Sequence, residues 1–72
     1  MTAYRQRALA IARFLQQNGP TKASHVAQTL REPKARDILY SNVYGWFDRS
    51  SIGIYELSPR GKQEIPHWRD NA

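Results

Sequence analysis

The stretch that most constrains this chain runs from Asn42 to Gly61, NVYGWFDRSSIGIYELSPRG. Val43, Tyr44, Trp46 and Phe47 are β-branched or aromatic, which suits a strand on a half-buried pleated surface. Asp48-Arg49-Ser50-Ser51 carries turn chemistry, and a second apolar run extends from Ile52 to Leu57, broken at Gly53 and Glu56. Ser58-Pro59 reads as a helix start: a hydroxyl to accept an orphan backbone N–H, then a residue with no N–H to satisfy. A two-stranded hairpin alone is marginal in water, so the rest of the chain must give it a floor.

Helices supply that floor. Tyr4, Ala8, Ile11, Ala12 and Leu15 recur on one face at a 3.6-residue period, with Phe14 widening the stripe. They predict a first helix from a Thr2 cap to about Asn18, closed by Asn18-Gly19-Pro20. A second, shorter helix is predicted from Thr21, as N-cap, to about Thr29, with Ala23, Val26, Ala27 and Leu30 inward. The third is predicted from Glu32 to Asn42, with Pro33 in its first turn and Ala35, Ile38, Leu39 and Asn42 inward. Only Leu30-Arg31-Glu32 separates the second and third helices, the tight connection of a helix–turn–helix. Pro59 begins a short last helix that Pro66 interrupts. Residues 66–72 are expected to form a loosely ordered tail with Trp68 folded back as an anchor.

Seventy-two residues allow one small core, so a single domain over residues 1–72 is expected. No cysteine is present, which removes disulfides, thiolate catalysis and cysteine-rich zinc sites. Neither a signal peptide nor a membrane span is legible, and a bacterial, cytoplasmic address is expected. The formal net charge is +5 and is unevenly spread. Residues 1–31 contain Arg5, Arg7, Arg13, Lys22 and Arg31 and no carboxylate, whereas the remaining residues balance six basic against six acidic side chains. A one-signed half attracts polyanions.

The order helix, helix, turn, helix, hairpin is that of a winged helix–turn–helix. Gly53, Tyr55, Leu57, Ser58, Pro59 and Gly61 resemble, one by one, the end of the wing and the start of the last helix in that family. The longer string NVYGWFDR, Asn42 to Arg49, resembles the C-terminal winged-helix segment of bacterial PD-(D/E)XK-type nuclease proteins of unknown function, and the similarity extends back through Asn18-Gly19-Pro20. The resemblance implies an α+β, mostly α fold with three core helices, a two-stranded antiparallel wing and a short C-terminal helix. It implies no catalytic residues, because the carboxylate-and-lysine core of those nucleases has no counterpart here.

Other catalytic signatures are equally scarce. His25 and His67 stand far apart, the six carboxylates are scattered, and no glycine-rich phosphate loop or nucleophile elbow occurs. The expectation is a chain that is not an enzyme and takes no cofactor or metal. Double-stranded DNA is the expected partner, with the third helix in the major groove. Lys34 and Arg36 are candidates for phosphate or guanine, and Tyr40 and Ser41 for backbone or bases. Thr21, Lys22 and Arg31 are candidate phosphate clamps, and Arg49 with Ser50 and Ser51 the wing contact. Arg5 and Arg7 could extend the basic surface. Glu32 and Asp37 offset Lys34 and Arg36, however, and the wing holds one arginine. Trp46, Phe47 and Tyr55 are expected in the core, while Tyr4, Tyr44 and Trp68 could form an exposed apolar patch. The competing reading is therefore a winged-helix interaction or dimerisation module. A lone domain makes few DNA contacts, so a homodimer or an attached domain is also expected.

Overall fold

The computed structural model describes residues 3–68, which form four α-helices and a three-stranded antiparallel sheet. In chain order these are α1 (Ala3–Asn18), β1 (Thr21–Lys22), α2 (Ala23–Leu30), α3 (Ala35–Ser41), β2 (Phe47–Ser51), β3 (Ile54–Leu57) and α4 (Pro59–Glu64). A 3-10 turn, Ile65–His67, follows. The fold is α+β and mostly helical. The Thr2 cap and the tail beyond Trp68 lie outside the described residues.

Helix α1 buries Ala8, Leu9, Ile11, Ala12 and Leu15, so Leu9 joins the expected stripe while Tyr4 is only half-buried. The sequence Asn18-Gly19-Pro20 ends it as expected, with Gly19 N–H bonded to the Leu15 carbonyl at 2.8 Å. The next pair departs from expectation. Thr21 does not cap α2; it belongs to β1, pairs with Tyr55, and donates its hydroxyl to the Gly19 carbonyl. Lys22 precedes α2 without a side-chain cap, and the Ala23 N–H reaches the Gly53 carbonyl instead. The free edge of β3 offers backbone partners that the local sequence does not reveal. The sheet thus has three strands, in the order β1-β3-β2, where two were expected.

Helix α3 is also shorter than its apolar period suggests. Residues 31–34 form the connection, and the Glu32 carboxylate accepts the Lys34 N–H at 3.1 Å, satisfying a donor that a longer helix would have used. Asn42 is not on a helical stripe. It leaves α3 in the left-handed conformation, and its side chain accepts from Phe47 N–H at 3.0 Å and donates to the Phe47 carbonyl at 2.8 Å. That paired grip sets the start of β2 at Phe47, so Val43, Tyr44 and Gly45 form a turn and not the expected strand. Asp48–Ser51, expected as a turn, is strand. The reversal falls at Ile52-Gly53, where Gly53 at φ 73 supplies a conformation closed to most side chains.

Trp46, Ile11, Leu39, Ile65 and Val26 are the most deeply buried large side chains, and Phe47 and Tyr55 join them in the core. Each such burial stabilises the fold by about 1.5–3 kcal/mol. Ser58 caps α4 as expected, accepting Gly61 N–H at 3.0 Å while donating to the Gly45 carbonyl at 2.6 Å. Gly61 is required at its place: a Cβ there would collide with the Trp46 carbonyl. Trp68 folds back edge-on to Trp46, with ring centroids 6.1 Å apart. Among the described residues, no helix is long and apolar enough to cross a membrane.

Candidate nucleic-acid interface

The arginines of α1 are engaged within the fold. Arg7 Nε lies 3.3 Å from Glu32 Oε1, so one charge of the basic half is offset by an acid from the other half. The Arg5 guanidinium sits 5.0 Å from the Trp68 ring centre and 5.6 Å from that of Tyr44. Arg13 donates to the Trp68 carbonyl. Tyr44 in turn stacks on Trp46 at 4.6 Å. Tyr4, Tyr44 and Trp68 therefore pack on the core around Arg5 and do not form the open patch considered from sequence. The Tyr4 phenol is pushed above its ordinary pKa, first by burial and then by the neighbouring Tyr44.

A second set of cations points outward. Lys22, Arg31, Lys34, Arg36 and Arg49 are all exposed, and none forms an ion pair with a described residue. Arg31 and Arg36 face a common open groove between α2 and α3, which Ser24, Gln28, Pro33 and Asp37 also line. Lys34 stands at the head of α3, and Tyr40 and Ser41 near its end, Tyr40 with 77 % of its surface exposed.

The sheet brings the remaining candidates to one end. Thr21 and Arg49 flank Tyr55 from either side, and Lys22 and Ser51 flank Ile54. Two strand spacings, about 10 Å, separate the outer members of each row. Residues directly opposite share a sheet face, so exposed Arg49 lies on the same face as buried Tyr55. Asp48 and Glu56 oppose each other on the other face, which Lys22 shares through its pairing with Ile54. Ser50 occupies the irregularity between Arg49 and Ser51, and its hydroxyl is 3.4 Å from the Ile54 carbonyl. Lys22 ends β1 and immediately precedes α2, tying this row to the α2–α3 groove.

Arg49 was expected at the hairpin tip, yet the tip is Ile52, 93 % exposed. Ser24 and Gln28 were not among the expected residues. Their signal was present, since Ser24, Gln28 and Arg31 follow one another at i, i+4 and i+7 along one polar face of α2. Among the described residues, no three His, Cys, Asp or Glu side chains gather where they could hold a metal ion. Away from the groove, the Glu64 carboxylate is held below its ordinary pKa, chiefly by the Trp46 indole N–H and then by Arg60.

No curated protein and no solved structure matches this chain. A family model described as "Putative PD-(D/E)XK phosphodiesterase (DUF2161)" does match, over residues 1–64. That description corrects the expectation that the chain is not an enzyme, because it points to a nuclease-type enzyme family. The sequence does contain Glu32-Pro33-Lys34, which spells the (D/E)-X-K tripeptide. In the fold the Glu32 carboxylate is held between Arg7 and the Lys34 amide. Because the match spans nearly all of the sequence, this chain belongs to the family so described, DUF2161.

Proposed function

We propose that this chain is the duplex-DNA-binding module of a phosphodiesterase-family protein, built as a winged helix–turn–helix. The observation that carries the reading is the outward set of Lys22, Arg31, Lys34, Arg36 and Arg49, exposed on the α2–α3 unit and the wing and unpaired with any described residue. Charges that stabilise nothing inside the fold are suited to an external polyanion. The element order and the β1-β3-β2 sheet support the winged-helix assignment. The family description adds a chemical reason, since a phosphodiesterase acts on the linkage that joins nucleotides.

In this mechanism α3 enters the major groove with Tyr40 and Ser41 toward base edges and backbone and Arg36 toward a phosphate. Lys34, Arg31 and Lys22 with Thr21 hold phosphates along the α2–α3 connection, and Arg49 with Ser50 holds a phosphate under the wing. Helix α3 has only seven residues, about two turns, so the number of base contacts is small and backbone contacts dominate. Useful affinity then requires a second copy or an attached domain. The reading carries a cytoplasmic address with it.

The test is fluorescence anisotropy with a random-sequence duplex at two salt concentrations. Binding that weakens steeply with salt, and that K34A/R36A abolishes without lowering Tm, supports the reading. Absence of binding at low salt rejects it. The competing docking module draws on a different observation, the exposure of Tyr40, Val43 and Ile52 at 77 %, 66 % and 93 %. It gains if Y40A and V43A, and not the cation variants, remove binding to a protein partner.

A further inference from the structure

Among the described residues, two other than glycine adopt the left-handed backbone conformation, Arg31 at φ 52 and Asn42 at φ 49. Each follows the last turn of a helix, where glycine is the common occupant because side chains at positive φ are strained. Asn42 has its reason inside the fold, since its amide holds both backbone groups of Phe47. Arg31 has no such reason. Its backbone completes the α2 terminus, with Arg31 N–H reaching the Gln28 carbonyl at 3.3 Å and Glu32 N–H reaching that of Ala27 at 2.9 Å. A glycine would make both bonds equally well. The Arg31 side chain is exposed and bonds to no described residue, but it borders the α2–α3 groove together with Arg36. Strain retained where the fold gains nothing from it points to work done outside the fold.

We propose that Arg31 occupies this glycine conformation because its guanidinium, with that of Arg36, seats one backbone phosphate of a DNA duplex in the α2–α3 groove. The inference rests on the duplex-binding reading above and assigns it a place. Guanidinium groups present paired N–H donors that match phosphate oxygens. Ser24 and Gln28 on the α2 wall add an uncharged hydroxyl and amide. Asp37 on the α3 wall opposes an anion and keeps the empty groove from being more strongly positive. The seat makes Arg31 a residue that weakens the fold and strengthens binding.

That opposition defines the experiment. R31G is expected to raise Tm by roughly 4 °C, since a glycine at positive φ is unstrained. The same variant is expected to lose roughly 5- to 10-fold in affinity for a short random-sequence duplex, with the slope of log K against log salt reduced by about 0.9, one phosphate contact. R31N, which tolerates the same conformation, should bind as weakly as R31G, while R31K should retain most of the affinity. A raised Tm with unchanged affinity and slope would overturn the inference and leave the DNA reading standing. A lowered Tm would overturn it as well, by showing that the fold needs the arginine. Failure of the unmodified protein to bind the duplex at low salt would reject the DNA reading itself, and the phosphate seat with it.

Discussion

Two groups of arginines in this small protein look alike in sequence and have opposite fates in the structure. Arg5, Arg7 and Arg13, all on α1, engage Tyr44 and Trp68, Glu32, and the Trp68 carbonyl respectively. Arg31, Arg36 and Arg49, with Lys22 and Lys34, are exposed without an ion-pair partner among the described residues. The difference shows that a count of charges along a chain says little about a binding face. What matters is which charges tertiary structure has already used. The first group ties the N-terminal helix to the middle and the far end of the chain; the second is proposed to hold DNA.

The comparison breaks if variants of the two groups behave alike. The largest effect is expected for R31Q/R36Q, which should lower duplex affinity about 100-fold at low salt, the loss of two charge-assisted phosphate contacts. Its Tm should stay near that of the unmodified protein in the same thermal melts, since neither side chain pairs with a described residue. R5A should do the reverse. Removing a cation that lies near two aromatic rings costs about 1 kcal/mol, a Tm fall of roughly 4–8 °C, with duplex affinity within a factor of two. Equal binding losses from the two variants would mean that a general positive field, and not a defined face, attracts the partner.

Two smaller effects sharpen the contrast. D37N removes the carboxylate from the α3 wall of the groove and should tighten duplex binding roughly 2- to 3-fold in the same titration. Glu64 tests the clasp at the chain's far end. Because its pKa is lowered in the folded state, its stabilising contribution is present above the unfolded glutamate pKa and disappears as pH falls through the lower, folded value. Acid melts of E64Q should therefore lose less stability across that window than those of the unmodified protein. Identical pH dependence would mean that the bonds from Trp46 and Arg60 do not stabilise the carboxylate.

What could be read from the sequence was local. The Ser58-Pro59 cap, the Asn18-Gly19-Pro20 stop and the apolar stripe of α1 depend on neighbours a few residues away, and the structure contains all three. What could not be read was paired across the chain. Strand β1 exists because Thr21 and Lys22 meet Tyr55 and Ile54, more than thirty positions later. The hairpin register was misplaced because the grip of Asn42 on Phe47 outweighs the strand preference of Val43 and Tyr44. The basic half was misread for the same reason, since Glu32 and Trp68 become neighbours of α1 only on folding. Of the candidate site, Arg31, Lys34, Arg36 and Arg49 were legible as types in a pattern. Ser24 and Gln28 share a polar helix face with Arg31 in the sequence, and the α2–α3 groove is what gives that face a role.

The most direct test of the proposed DNA face is an NMR titration of the isotope-labelled protein with a short random-sequence duplex at low and at high salt. The account predicts amide shifts at Lys22, Ser24, Gln28, Arg31, Arg36, Tyr40 and Arg49–Ser51, weakening steeply with salt, while Arg5, Arg7 and Arg13 stay still. No shifts at low salt, or shifts centred on the α1 arginines, would contradict it.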